Sequence, residues 1–211
     1  MGIFERASRT FRAGRMRRFA RDFNIAPHTR VLDIGGTPWN WTLTPVQPRL
    51  TILNMPRASE SVPDGMDWVA GDGCALPFAD DSFDVVFSNS VIEHLGTPER
   101  QRQFAAEVVR VGKRYCVQTP NRWFPVETHL LTPWVHYLPK SWQAPLVRRW
   151  TVWALLTGIQ GERKNFYIEH YLADVILLDR AALQSLFPQA TVVRERFLGF
   201  TKSLIAEQSS Q

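Results

Sequence analysis

The run Val31–Leu32–Asp33–Ile34, closed by Gly35 and Gly36, is what most restricts the fold of this 211-residue chain. So short an apolar stretch, bounded by glycines, suits a strand buried on both faces, as parallel sheets require. Comparable runs recur at Leu50–Asn54, Asp67–Gly71, Phe83–Ser88 and Arg114–Gln118. Short strands alternating with connectors specify a doubly wound open sheet, and such a sheet binds ligands at the carboxyl ends of its strands.

The connectors are unusual. Pro38, Pro45 and Pro48 lie between the first two runs, and Pro56, Pro63 and Gly65 between the next two, so long helices are excluded there. Thr97 followed by Pro98 and Glu99 predicts a helix start, with Phe104, Ala105, Val108 and Val109 forming its buried stripe. Asp179 predicts a cap for a helix through Leu186. Ala190–Arg196 and Thr201–Ala206 then read as an antiparallel hairpin around Gly199. At the other end, Phe4, Ala7 and Phe11 share one helical face and Met16, Phe19, Ala20 and Phe23 another, which predicts two helical pieces meeting at Gly14.

The net charge of +5 is unevenly placed, because Arg6, Arg9, Arg12, Arg15, Arg17, Arg18 and Arg21 all precede the first strand. Such a cluster serves either as a phosphate-binding patch or as a solvated helix face. Cys74 and Cys116 form no CxxC or metal-spaced group, which points to reduced thiols and a cytoplasmic setting. No apolar stretch of signal-peptide or membrane-span length occurs. Five histidines without HxxxH spacing argue against a metal.

One segment carries a family resemblance. Gly71–Asp72–Gly73–Cys74–Ala75–Leu76–Pro77–Phe78, then Ser82–Phe83–Asp84–Val85–Val86–Phe87–Ser88–Asn89–Ser90, then Val91–Ile92–Glu93–His94–Leu95, resembles the class I S-adenosylmethionine (SAM)-dependent methyltransferases, in the type 11-like branch. The resemblance extends over roughly residues 30–120. It implies a Rossmann-like, mostly parallel seven-stranded sheet with its last strand antiparallel, and an aromatic-rich helical insertion or lid after the fifth strand. On that frame residues 1–28 form a basic helical segment and 29–120 the SAM-binding core. An acceptor-site insertion spans 121–178, and 179–207 complete the sheet.

The resemblance also assigns the cofactor site. Asp33, Gly35 and Gly36 match the family's glycine-rich turn, but Thr37 and Trp39 stand where small residues are usual. Thr37 as N-cap and Pro38 at the first helical position would still direct free amides to the methionine carboxylate. Asn54 replaces the usual acidic residue facing the ribose hydroxyls, with Met55 next to it for the adenine face or for simple packing. Asp72 matches the carboxylate for the adenine amino group, with Gly73 and Cys74 beside it; alternatively it caps its own turn. Ser88 and Asn89 match the strand end that receives the methionine ammonium. Asp80 and Asp81 read as turn residues.

On the acceptor side, Thr119–Pro120–Asn121–Arg122–Trp123–Phe124–Pro125–Val126–Glu127–Thr128–His129 resembles a run in several bacterial members, making Asn121, Glu127 and His129 acceptor-site candidates. His94 joins Glu127 and His129 as a catalytic candidate, each with a plainer structural alternative. Tyr167, Glu169 and His170 form a second polar cluster. The stretch 146–159, with Trp150, Trp153, Leu155 and Leu156 beside Arg148 and Arg149, reads either as a helix packed on the sheet or as a surface for peripheral membrane contact at its inner face, together with the basic N-terminus. The expected function is methyl transfer from SAM to a small-molecule or lipid-linked acceptor. The alternative is a non-catalytic, methyltransferase-like binding or scaffold protein with an altered cofactor loop. A nucleic-acid methyltransferase is a third option, suggested only by the arginine cluster; the lack of an (N/D)PP(Y/F) motif argues against the familiar type that methylates base amino groups, though not against every RNA enzyme.

Overall fold

The structure is a computed structural model that describes residues 3–55 and 65–209, with side chains from Arg12 onward. Pro56 and Pro63, and the side chains of Phe4, Arg6, Ala7, Arg9 and Phe11, lie outside the described residues. The chain opens with α1 (Ile3–Asp22) and enters β1 (Arg30–Ile34), α2 (Pro38–Trp41), β2 (Arg49–Asn54), β3 (Met66–Ala70) and β4 (Val85–Asn89). A 3₁₀ turn, Ile92–His94, leads to α3 (Pro98–Val111) and β5 (Tyr115–Pro120). The short strands β6 (Val126–Glu127) and β7 (Thr132–Pro133) precede a second 3₁₀ turn, Val135–Tyr137, and the helices α4 (Lys140–Arg149), α5 (Val152–Thr157) and α6 (Gly161–Asp174). The chain closes with α7 (Arg180–Leu186), β8 (Thr191–Phe197) and β9 (Phe200–Gln208).

Seven strands form one sheet in the order β3-β2-β1-β4-β5-β9-β8. The first five are parallel, and β9, the last in the chain, runs antiparallel to β5 and β8. The expected seven-stranded sheet is therefore present. Leu198 and Gly199, with φ of 49° and 84°, make the two-residue turn between β8 and β9, the primed geometry whose twist suits a hairpin.

One face of the sheet packs Leu32, Ile34, Val86 and Val117 against Phe104 and Val108 of α3 and Leu183 of α7. The caps form as the sequence predicts: Thr97 accepts from the Arg100 amide and Asp179 from the Ala182 amide. The other face has no helix from the β1–β2 connector, where the prolines leave only the single turn α2. Its cover comes from before the sheet: Met16, Phe19 and Ala20 of α1, and Phe23 just after it, pack with Trp41 on Val31, Ile52, Val85 and Phe87. Packing also corrects the expected break at Gly14. The helix is continuous from Ile3 to Asp22, because glycine costs a helix interior only about 1 kcal/mol against Ala and the docked turns that follow outweigh it.

Docking changes the meaning of the basic segment too. Arg15 pairs with Glu195, and also donates to Asn89 and Gln118; Arg18 pairs with Asp22 and Glu207. These two guanidiniums join α1 to the sheet and are neither a phosphate patch nor a solvated face. Arg17 remains exposed.

Between β5 and α7 a separate apolar cluster of Leu130, Val135, Val147, Ile168, Tyr171 and Val175 holds the helices together. The stretch 146–159 is two helices interrupted at Trp150 and Thr151, with Leu155 and Leu156 exposed. No helix among the described residues is long and apolar enough to cross a membrane.

Candidate active site

Four adjacent parallel strands, β3, β2, β1 and β4, bring Asp72, Asn54, Gly35 and Ser88–Asn89 to one carboxyl edge. At β1 the chain turns through Gly35 in the left-handed region, φ 72°, where a Cβ would also come within 2.5 Å of Val91 Cγ2. Gly35 is needed on both counts. Asp33 lies completely buried beneath this turn and accepts a 2.7 Å bond from the Trp41 indole N–H, leaving Oδ1 without a partner. Burial pushes the Asp33 carboxyl up to about 7, against the opposing pull of the indole bond. The Trp41 bond is absent from the sequence reading, which weighed Trp39 alone.

Thr37 has extended N-cap geometry, and Pro38 opens α2 as expected, but the Thr37 hydroxyl makes no capping bond and the helix is only four residues long. Asn54 holds the loop: its Nδ2 donates to the Gly36 carbonyl at 2.9 Å, and its Oδ1 accepts from the Met55 amide at 2.8 Å. The Met55 side chain is exposed at the rim.

Asp72 accepts from the Cys74 amide at 2.9 Å and from Arg100 Nη2 on both oxygens. The amide bond and then the guanidinium, against some burial, hold its carboxyl below the ordinary range. The turn-capping bond is thus present, and Arg100 is a partner the sequence did not indicate. Gly73 sits where a Cβ would press on Ile34 and Phe104 at 3.0 Å. At the end of β4, buried Ser88 donates to the Ile34 carbonyl at 3.2 Å, and Asn89 accepts from Arg15. Ser90 adopts φ 58° and donates to Gln118 Oε1.

The acceptor-side candidates divide. Asn121 donates to the Thr201 carbonyl and accepts from the Trp123 amide, so it holds the loop after β5. Glu127, in β6, is buried; it accepts from the Leu130 amide at 2.6 Å and pairs with His129 Nδ1 at 2.6 Å. His129 Nε2 lies 3.1 Å from His94 Nε2, in a contact between segments 35 residues apart. Chain spacing cannot reveal such a pair. Glu93, next to His94, is fully buried; one carboxylate oxygen accepts from Thr119 at 3.0 Å, while Oε1 has no hydrogen-bond partner.

The electrostatics follow from this packing. Burial raises the Glu93 carboxyl to about 7. Burial and then the neighbouring His129 and His170 lower His94 to about 4. For His129, burial is outweighed by the bond to Glu127 and the two nearby carboxylates, so it is raised; Glu127 is lowered despite its burial by the bond to, and charge of, His129. The second polar cluster does not assemble: Glu169 pairs with Arg148 at the surface and His170 with Asp174, while Tyr167 donates to the His129 carbonyl.

The methyltransferase domain family matches residues 42–115. Over 62 residues the chain is 42% identical to the ubiquinone/menaquinone biosynthesis C-methyltransferase UbiE of Roseobacter denitrificans (strain ATCC 33942 / OCh 114), which is 28% of this chain and 25% of that protein. The chain therefore spans about a quarter of the length of that curated relative. Among solved structures, the magnesium protoporphyrin IX methyltransferase ChlM of Synechocystis PCC 6803, with bound SAH, superposes with a TM-score of 0.55 at 10% identity, over 98% of this chain and 87% of that one. PigF with SAH gives 0.53 at 16% identity, over 94% and 60%. Likeness at these identities establishes the fold.

Proposed function

We propose that the chain is a class I SAM-dependent methyltransferase that transfers a methyl group from SAM to a small-molecule or lipid-linked acceptor, a reading supported by the domain match, the curated relative and the fold. The observation that carries the reading is one edge of the sheet where four strand ends line up, the last of them, β4, leading directly into the turn that carries His94 of the His94–His129–Glu127 group. Bound SAM would supply an electrophilic methyl group on a sulfonium. The glycines at 35 and 36 let the loop close tightly over Val91 and Asp33, and Asp33 keeps a buried oxygen that accepts no bond, which fits a site for a donor-bearing ligand. In this reading Asp72, Gly73 and Cys74 would meet the adenine, Met55 its face, and Ser88 and Asn89 the methionine end, all of them at or next to strand ends of one sheet edge. Asn54 serves the ribose only by exchanging bonds it makes to the loop.

Direct displacement asks the protein to align the acceptor and exclude water, which alone supplies much of the rate. Glu127 fixes the ring of His129, and His129 and His94 meet the acceptor between the strand ends and the helices that follow β5. Exposed Trp150, Leu155 and Leu156 suit a lipid-linked acceptor reached from a membrane surface on the cytoplasmic side.

The second reading, a binding or scaffold protein, is favoured by the bonds that already occupy both ends of the Asn54 amide. Calorimetry separates the two. Binding of SAM and its demethylated product supports the enzyme; no heat at about millimolar ligand leaves the scaffold.

A further inference from the structure

Glu93 Oε1, His94 Nε2 and His129 Nε2 lie within hydrogen-bonding or ion-pairing range of one another: 3.1 Å between the two nitrogens and 4.0 Å from each nitrogen to the carboxylate oxygen. Two imidazole nitrogens face to face share at most one proton. The Glu93 oxygen, fully buried, has no hydrogen-bond partner at all. A triangle of these sides lets all three atoms reach one central ion at about 2.2 Å, close to the length of bonds from zinc to nitrogen and oxygen.

The outer contacts are those a metal site needs. His129 Nδ1 is held by the Glu127 carboxylate at 2.6 Å, which favours the tautomer whose Nε2 carries a lone pair for a metal. The second Glu93 oxygen is held by Thr119. The His94 side chain is 32% exposed against 12% for His129 and none for Glu93, so the group is closed on one side and open on the other.

We propose that Glu93, His94 and His129 bind one divalent transition-metal ion, with an open position that takes an oxygen atom of the acceptor. Two imidazoles and one carboxylate form the donor set of catalytic zinc sites and of open-faced iron sites. The inference deepens the acceptor-side reading above and makes the two histidines ligands and Glu127 a positioning residue.

The test uses the full, tag-free chain stripped of metal and titrated with Co²⁺ in the absence of SAM. One equivalent should bind with visible absorption that Zn²⁺ displaces, and acetohydroxamate should change the spectrum while the ion stays bound. His94→Gln and His129→Gln should each weaken Co²⁺ binding at least tenfold, Glu127→Gln by about 10- to 100-fold, and His28→Gln not at all. Failure of the folded wild-type chain to bind Co²⁺, or binding that survives both ligand substitutions, overturns the site. An unaltered spectrum with acetohydroxamate overturns its open position. SAM calorimetry is a separate measurement, so a chain that binds Co²⁺ but not SAM refutes the cofactor reading and leaves the metal site standing.

Discussion

A Cβ built on Gly36 would lie 1.7 Å from Asp33 Oδ2, the oxygen that accepts the Trp41 indole bond. The carboxylate cannot retreat without breaking that bond in a site with no exposed surface. Gly36→Ala should therefore destabilise the fold by about 1–3 kcal/mol, as overpacking does, and weaken SAM binding with it. Thermal unfolding followed by circular dichroism reads the first effect; a melting temperature equal to wild type would show that the loop yields freely.

The same carboxylate makes stability depend on pH. Burial holds the Asp33 carboxyl up at about 7 in the folded state, against its ordinary 3.8 in the unfolded chain, so the folded state holds its proton longer. Stability from this group is complete below pH 3.8 and falls as pH rises through about 7. Between pH 5 and 8 the loss is on the order of 2–3 kcal/mol. Asp33→Asn keeps an oxygen for the indole and cannot ionise. Its stability relative to wild type, by urea unfolding, should rise over that range, and a difference constant with pH would refute the buried titration.

Asp72 separates binding from folding. Its pair with Arg100 has both side chains more than two-fifths exposed, at 45% and 43%, so little stability rests on it. Asp72→Ala should change unfolding free energy by less than about 1 kcal/mol and still abolish SAM binding. Arg100→Ala should leave the carboxylate in place and keep binding. If Asp72→Ala binds SAM as wild type does, the carboxylate is only a turn cap.

The sheet was legible because its cause is local: β1, β4 and β5 are short runs buried on both faces, while β3 at the sheet edge is only half-buried, and Thr97 and Asp179 are caps whose bonds reach three residues along the chain. The candidate site was legible only where residues end a strand. Asp72, Ser88 and Asn89 stand at strand ends, but their partners Arg100, Ile34 and Arg15 come from elsewhere in the fold. Likewise the meeting of His94 and His129 depends on how β6 and its turn fold back over the 3₁₀ turn after β4, which no period in the sequence encodes. The uncovered sheet face was a partial signal: prolines that forbid a helix between β1 and β2 require cover from another element, and the apolar face at Met16–Phe23 was available for it.

Arg15 tests whether α1 belongs to the folded core. Its guanidinium, 10% exposed, meets Glu195, itself 17% exposed, and two side-chain carbonyls at the ends of β4 and β5. Truncation takes the paired guanidinium from a largely buried carboxylate that keeps only the charge of Lys202 nearby, a loss of about 3–5 kcal/mol where such pairs are fully buried and somewhat less here. Arg15→Ala should accordingly lower stability by about 2–4 kcal/mol, whereas Arg17→Ala, at an exposed position, should stay within about 0.5 kcal/mol of wild type. Because Arg15 also holds Asn89 beside the strand end proposed for the methionine group, its loss should weaken SAM affinity in protein that remains folded. Urea unfolding and calorimetry on both variants check the two effects, and equal behaviour of the two arginines would return α1 to the status of a solvated appendage.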